Sequence, residues 1–254
     1  MGLVHTWHRL LLIFAVLHVI VWYSNRGGHR RRPVPNLGLW GRLWYGHRDL
    51  LVGLYVLACA LRSALPRQDG DRVCMYRHPL SSPWVGRVVA CVGEIAFVLL
   101  CLSGFVVMYD HQPIPQCIAS ACLLLILLAE AFCVHGVVYR RDQSHAVEMT
   151  LWAIATGVVM VYCTLAPPAT NTERIPHFRT SVMAMGCLYV TYLVQWDIPM
   201  YRQRAALHRD DDPLPLPMSC QRWSSDWEVW HHEMPWMTLY FLCAVWFALW
   251  LQTC

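Results

Sequence analysis

The sequence predicts an all-α polytopic transmembrane helical bundle of about seven spans, six to seven, joined by mostly short loops. Three observations carry that prediction. The 254 residues are 57% hydrophobic and only 14% charged, against about 25% charged in soluble domains. Apolar runs approaching the ~20 residues that cross a bilayer recur along the whole chain. Trp7, Trp22, Trp84, Trp196 and Trp236 fall near the ends of those runs, where amphipathic rings favour the headgroup region. A single integral membrane domain over residues 1–254 accommodates them.

Leu10–Tyr23 is the first apolar segment, read as a signal anchor because only a weak small-residue site, Gly27-Gly28, follows it. Leu37–Arg48, with Trp40 and Trp44, reads as an interfacial helix. Leu50–Leu65 is a short second span. Val85–Tyr109, Gln116–Tyr139, Val147–Ala166 and the seventh segment, Pro235–Thr253, are long enough to cross alone, and the tight Asp110–Pro115 connection makes the first two of these antiparallel neighbours. Thr180–Pro199 and Pro235–Thr253 complete the set. Ser225 and Glu228 have capping-box spacing, so a short helix starts there and Pro235 kinks or restarts it. The two long loops are Pro66–Pro83 and Tyr201–Met234, the second carrying Asp210, Asp211 and Asp212.

Composition excludes several functions. Lysine is absent, so no retinal Schiff base can form. Twelve cysteines contain no C-x-x-C, which argues against a zinc ribbon or a thioredoxin-like pair; most sit singly in apolar runs as small buried hydrophobes. The basic loops are too dispersed for nucleic acid. Arg9, Arg62, Arg67, Arg72, Arg77, Arg87, Arg140, Arg141, Arg202, Arg204, Arg209 and Arg222 fall on one side of seven alternating spans. Arg26, Arg30, Arg31, Arg32, Arg42, Arg48, Arg174 and Arg179 fall on the other. The excess assigns the first side to the cytosol or a matrix-like space. Cys74 and Cys220 lie in polar loops of that side, where a disulfide is disfavoured. The first acidic residue is Asp49, and an acid-free N-terminus also suits mitochondrial import. An endomembrane and the mitochondrial inner membrane both fit, and the sequence does not choose between them.

Function is argued from one-sidedness. Glu94, Glu130, His135, His145, Glu148, Asp197, His231, His232 and Glu233 all gather toward one face. Ionisable groups in hydrocarbon cost ~2.5–3.5 kcal/mol each on insertion scales, so a gathered set suggests a site. Glu94 is nine residues into its span and Glu130 nine from the end of the next, both about 13 Å below that face. His145 and Glu148 share a helix face at i, i+3 spacing, the reverse of the Glu-x-x-His of helix-borne di-iron sites. The candidate catalytic residues are Glu94, Glu130, His145, Glu148, Asp197 and His231. Of these, Glu94, Glu130, His145 and Glu148 are candidate ligands for a divalent metal ion.

The plain alternative is structural. Arg62 and Arg87 are on the correct side to neutralise Glu94 and Glu130, and His231 and His232 suit an interfacial anchor. The leading function is a membrane-embedded enzyme on a lipid or isoprenoid-like substrate entering from the bilayer, although no histidine box is present. The competing one is a non-catalytic integral subunit of a larger membrane complex, with lipids and other membrane subunits as partners. A proton-coupled transporter ranks third, because only Ser103, Ser120, Thr156 and Thr164 continue a polar path.

Overall fold

Hydrogen-bonded helix is the one open-ended structure that satisfies its own backbone in an apolar medium, and the chain uses almost nothing else. The computed structural model describes residues 2–27, 38–69, 72–109, 112–166, 177–207 and 222–254. Arg30–Arg32, Asp110, His111, Arg174, Arg209, Asp210–Asp212 and Cys220 lie outside the described residues.

The helices are α1 (Gly2–Asn25), α2 (Leu39–Gly46), α3 (Arg48–Ala64), α4 (Pro83–Met108), α5 (Pro113–Tyr139), α6 (Asp142–Leu165), α7 (Phe178–Tyr192), α8 (Ile198–Leu207), α9 (Trp227–Trp230), α10 (Met234–Leu239) and α11 (Val245–Thr253). A π-helical turn, Leu193–Asp197, joins α7 to α8, and another, Tyr240–Ala244, joins α10 to α11. Among the described residues, five helical stretches are long and apolar enough to cross a membrane: Gly2–Asn25, Pro83–Met108, Pro113–Tyr139, Asp142–Leu165 and Met234–Thr253. The remaining two expected segments are helical, as α3 and as α7 with its π turn, but are not among the five.

Helix α1 starts eight residues before the apolar run read from the sequence. Polar side chains at that end find partners inside the protein: His8 Nδ1 bonds the Tyr76 hydroxyl at 2.9 Å and Nε2 lies 3.3 Å from Ala64 O. Trp40 and Trp44 are both buried, at 4% and 1% exposure, so this face of α2 packs against protein. The capping box is corrected. Asp226, not Ser225, occupies the N-cap of α9, and no side-chain cap forms; Ser224 Oγ takes the Asp226 N–H and donates back to Asp226 Oδ2. Pro235 does restart the helix, in the first turn of α10.

One compact unit comprises Met1–Pro33, His47–Leu100 and Leu216–Thr253. The Trp22 ring lies where a Cβ on Gly53 would stand, 2.4 Å away, drawing α1 close to α3. Gln252 of α11 donates to Trp22 O and Asp49 Oδ1, each at 3.2 Å, tying three helices at one end. Tyr55 stacks on Phe97 at 4.6 Å between α3 and α4. The loops of this unit form a small sheet, with β1 (Arg67–Gln68) antiparallel to β2 (Val73–Cys74) and β2 parallel to β3 (Arg222–Trp223). Two-residue strands leave no sequence periodicity, and no strand was expected. Gln68 Nε2 donates to Val229 O and Trp230 Nε1 to Ser224 O, locking α9 beneath it. Cys74 is disulfide-bonded, which corrects the expectation of a reduced loop.

The other unit comprises Val34–Gly46, Cys101–Pro215 and Cys254. Its frame is the antiparallel pair α5 and α6, with α7 against α6 where Met160 Sδ lies 2.7 Å from a Cβ placed on Gly186. Trp44 and Phe178 both press on Gly104, and Phe105, Tyr109 and Tyr162 make an edge-to-face cluster.

Two glycines in spans test this packing. A Cβ on Gly93 would stand 2.6 Å from Ala58 Cβ, whereas one on Gly157 meets nothing within 4 Å. Gly93→Ala should cost about 1–3 kcal/mol as overpacking, while Gly157→Ala should be neutral or stabilise by up to about 1 kcal/mol. Thermal melts of the two variants in detergent check this; equal melting temperatures would refute the close α3–α4 approach.

Candidate metal centre in the second unit

A two-residue link builds the site. Helix α5 ends at Tyr139 because Arg140 adopts a left-handed conformation, φ 52°, and the Arg140 and Arg141 amides both turn back to Gly136 O. Helix α6 then begins at Asp142. So short a connection forces antiparallel neighbours, and residues equidistant from the link face one another. Gly136 stands four residues before Arg140 and His145 four after Arg141; Cys133 and Glu148 stand seven before and seven after.

The geometry follows. The His145 ring lies flat against the bare backbone of α5, its Nε2 2.8 Å from a Cβ placed on Gly136, so only glycine leaves room for it there. His145 Nδ1 is 2.9 Å from Glu148 Oε2 and 3.9 Å from Cys133 Sγ. All three residues are buried, and one ligand atom from each lies within 4.8 Å of the others. Tyr201 of α8 packs on the far side of the imidazole, with ring centroids 5.1 Å apart.

A sulfur, a nitrogen and an oxygen so placed fit a four-coordinate ion. Metal–ligand bonds of ~2.0–2.3 Å at tetrahedral angles put donors about 3.3–3.6 Å apart, and the observed 2.9 and 3.9 Å bracket that range. Three protein donors leave the fourth position open, the pattern of catalytic rather than structural zinc. A thiolate and an imidazole select zinc, iron or copper over magnesium or calcium.

The predicted residues divide between the units. His145 and Glu148 form the centre itself. Glu130 is buried one turn before Cys133 on the same face of α5. Asp197 closes the π turn, accepts a hydrogen bond from Tyr192 and lies near enough to Glu148 for the two carboxylates to repel; π turns recur at functional sites because they re-aim one side chain. His135 faces away, bonded to Ser144 Oγ at 2.8 Å. Glu94 belongs to the first unit, where Arg62 Nη1 donates to Oε1 at 3.2 Å and Arg87 Nη2 to Oε2 at 2.6 Å. That is the ion-pair alternative named from the sequence. His231, also in the first unit, is stacked between Trp227 and His232, with Nδ1 3.1 Å from Trp227 O.

Sequence reasoning passed over Cys133 as a buried hydrophobe. The signal that finds it is the hairpin symmetry around Arg140–Arg141, which pairs Cys133 with Glu148 once the link is known to be two residues long. No protein-family model, no curated protein and no solved structure matches the chain.

The His145–Glu148 bond makes a stability prediction. Glu148→Ala leaves a buried imidazole N–H or lone pair unmet and should cost about 1–3 kcal/mol. Glu148→Gln keeps an oxygen at that place and should cost less than about 1 kcal/mol. Thermal melts of the metal-free protein distinguish them; equal losses would show that the contact is not the reason for the burial.

Proposed function

We propose that this chain is an integral multi-pass membrane protein of six to seven spans, with α3 and the α7–α8 helix added to the five long ones, and that it is a membrane-embedded enzyme. Its centre is a divalent transition-metal ion held by Cys133, His145 and Glu148, and its substrate is lipid or isoprenoid-like. One observation carries this reading: three donors of different chemistry, all buried, converge in the seam of two bilayer-length helices. Burying so many polar atoms is expensive unless something is gained from them. The ion would supply Lewis-acid polarisation at the open position. Glu148 and His145 orient each other, and Asp197 is the nearby carboxylate suited to accept a proton. Glu130 lies one turn deeper along α5, at the inner end of the same face.

A substrate with an apolar tail suits this seam because the surrounding helices present hydrocarbon to the bilayer. Val161 and Leu165 on α6 are 58% and 78% exposed, and Leu188 and Trp196 are 69% and 65% exposed. The same surface favours the second reading, a subunit whose apolar flank meets other subunits. The disulfide at Cys74 suits a membrane with one oxidising face, such as an endomembrane or the mitochondrial inner membrane facing its outer space.

Metal analysis separates the readings. Full-length protein purified in detergent should carry about one equivalent of zinc, iron or copper, and Cys133→Ser or His145→Ala should reduce this at least tenfold. Loss of conversion of a lipid substrate in the same variants supports the enzyme. Unchanged metal content with failed assembly of a larger complex supports the subunit. A wild type that takes up none of the three metals when each is supplied in excess defeats the centre.

A further inference from the structure

The first unit holds a second polar cluster that the proposed function does not use. Arg62 ends α3, Arg67 lies on β1 just beyond it, and Arg87 sits in the second turn of α4. Arg67 is 7% exposed and Arg87 6%. Arg62 and Arg87 lie close enough to Arg67 to lower its proton affinity, and Arg62 feels Arg87, Glu94 and Asp69. Among the described residues in this mutual range, three guanidinium groups face two carboxylates, Glu94 and Asp69.

Arg67 is the unsatisfied member. Its Nη1 donates to Leu80 O at 3.4 Å and its Nε lies 3.2 Å from Asp69 Oδ1, but Nη2 is buried with no hydrogen-bond partner. The guanidinium lies flat over Gly86 in the first turn of α4, its carbon 1.6 Å from where a Cβ would stand, so the fork fits only because that residue has no side chain. Burial pushes the Arg67 guanidinium down to about 10, against the pull of Asp69. A buried cation kept at a cost, with a free N–H and a helix N-terminus beside it, is arranged for an anion.

Position narrows the anion. Arg67 follows the end of α3 and Gly86 opens α4, a helix of membrane length, so the cluster lies level with the ends of its helices. Trp84, 48% exposed at the same turn, marks a headgroup-level position. Planar guanidinium forks match phosphate oxygens in pairs. We infer that Arg67, with Arg62 and Arg87 behind it, binds a phosphate group, either the headgroup of an anionic membrane lipid or free phosphate. The site is independent of the metal centre and stands or falls without it.

The test uses the full chain in detergent, melted with added phosphatidylglycerol, phosphatidylcholine or inorganic phosphate. Phosphatidylglycerol at about a hundredfold over its Kd should raise Tm by roughly 5–10 °C, and phosphatidylcholine should not. An equal rise with inorganic phosphate identifies the source as the soluble ion; a rise with the lipid alone identifies the headgroup. Arg67→Gln should abolish the rise, and in lipid-free, phosphate-free detergent it should melt at or above wild type, because it removes a buried N–H that has no hydrogen-bond partner. A structural arginine behaves oppositely: Arg67→Gln melting below wild type in the absence of ligand, with the rise retained, overturns the inference. Should Arg67→Gln not fold, native mass spectrometry of wild type from an equimolar lipid mixture decides. About one retained phosphatidylglycerol per chain supports the site, and no preference for either lipid, with no phosphate-induced rise, overturns it.

Discussion

A chain this apolar gives a buried polar group nowhere to turn except to another part of the same protein, and that constraint arranges the whole structure. Several helix seams that hold polar atoms also pair them. Glu94 takes two arginines, His8 takes Tyr76 and the Ala64 carbonyl, Trp22 and Asp49 share Gln252, and His145 takes Glu148. Glycine appears where those seams are tightest, under Trp22 at Gly53 and under His145 at Gly136. If these helices lie in a bilayer, as proposed, hydrophobic burial alone could not choose between seams, because lipid tails are as apolar as the helices. Pairing and close packing make the choice instead.

Much of this was legible in the sequence, and the failures share one cause. Apolar runs gave the helices because a long run in a low-charge chain has no other stable form, and the observed ends lie within a few residues of the expected ones for α3 to α6. Helix α1 was read too short because His5, His8 and Arg9 interrupt the run, and a one-dimensional pattern cannot show that His8 is satisfied by residues more than fifty positions away. The burial of Trp40 and Trp44 is likewise out of reach of the sequence, since it depends on what packs over a ring. In the site, i, i+3 spacing was enough for His145 and Glu148, a local pair. Cys133 required knowing that the link is two residues long, and Glu94 required knowing which of two nearby cations it meets; it meets both.

Arginine counting takes on a different weight once the folded positions are known. The rule counts arginines in short loops and near span ends. Arg67, Arg72 and Arg87 are buried, and Arg62 is largely so, its charge turned to Glu94. All four were counted for one side. Without them the two sides are level, and buried Arg48 weakens the opposite tally as well. The disulfide at Cys74 is a second observation that bears on which side is reducing. Charge number is readable from sequence; charge accessibility is not.

Replacing Glu94 with Cys133 in the metal centre changes its chemistry and not merely its membership. An oxygen-rich set of carboxylates and one imidazole suits hard ions and di-iron sites, which need a second Glu-x-x-His and several acids converging. A thiolate would bring softer, more covalent binding at ~2.3 Å, and on the proposed reading Cys133 and Glu148 together would neutralise a divalent ion. That neutrality matters in a bilayer, where any residual charge is costly. On the proposed reading, Asp197 and Glu130 would not be needed as ligands, and Asp197, which feels the charge of Glu148, would be the carboxylate placed to exchange a proton. The division of labour follows from charge balance in a medium that tolerates no excess.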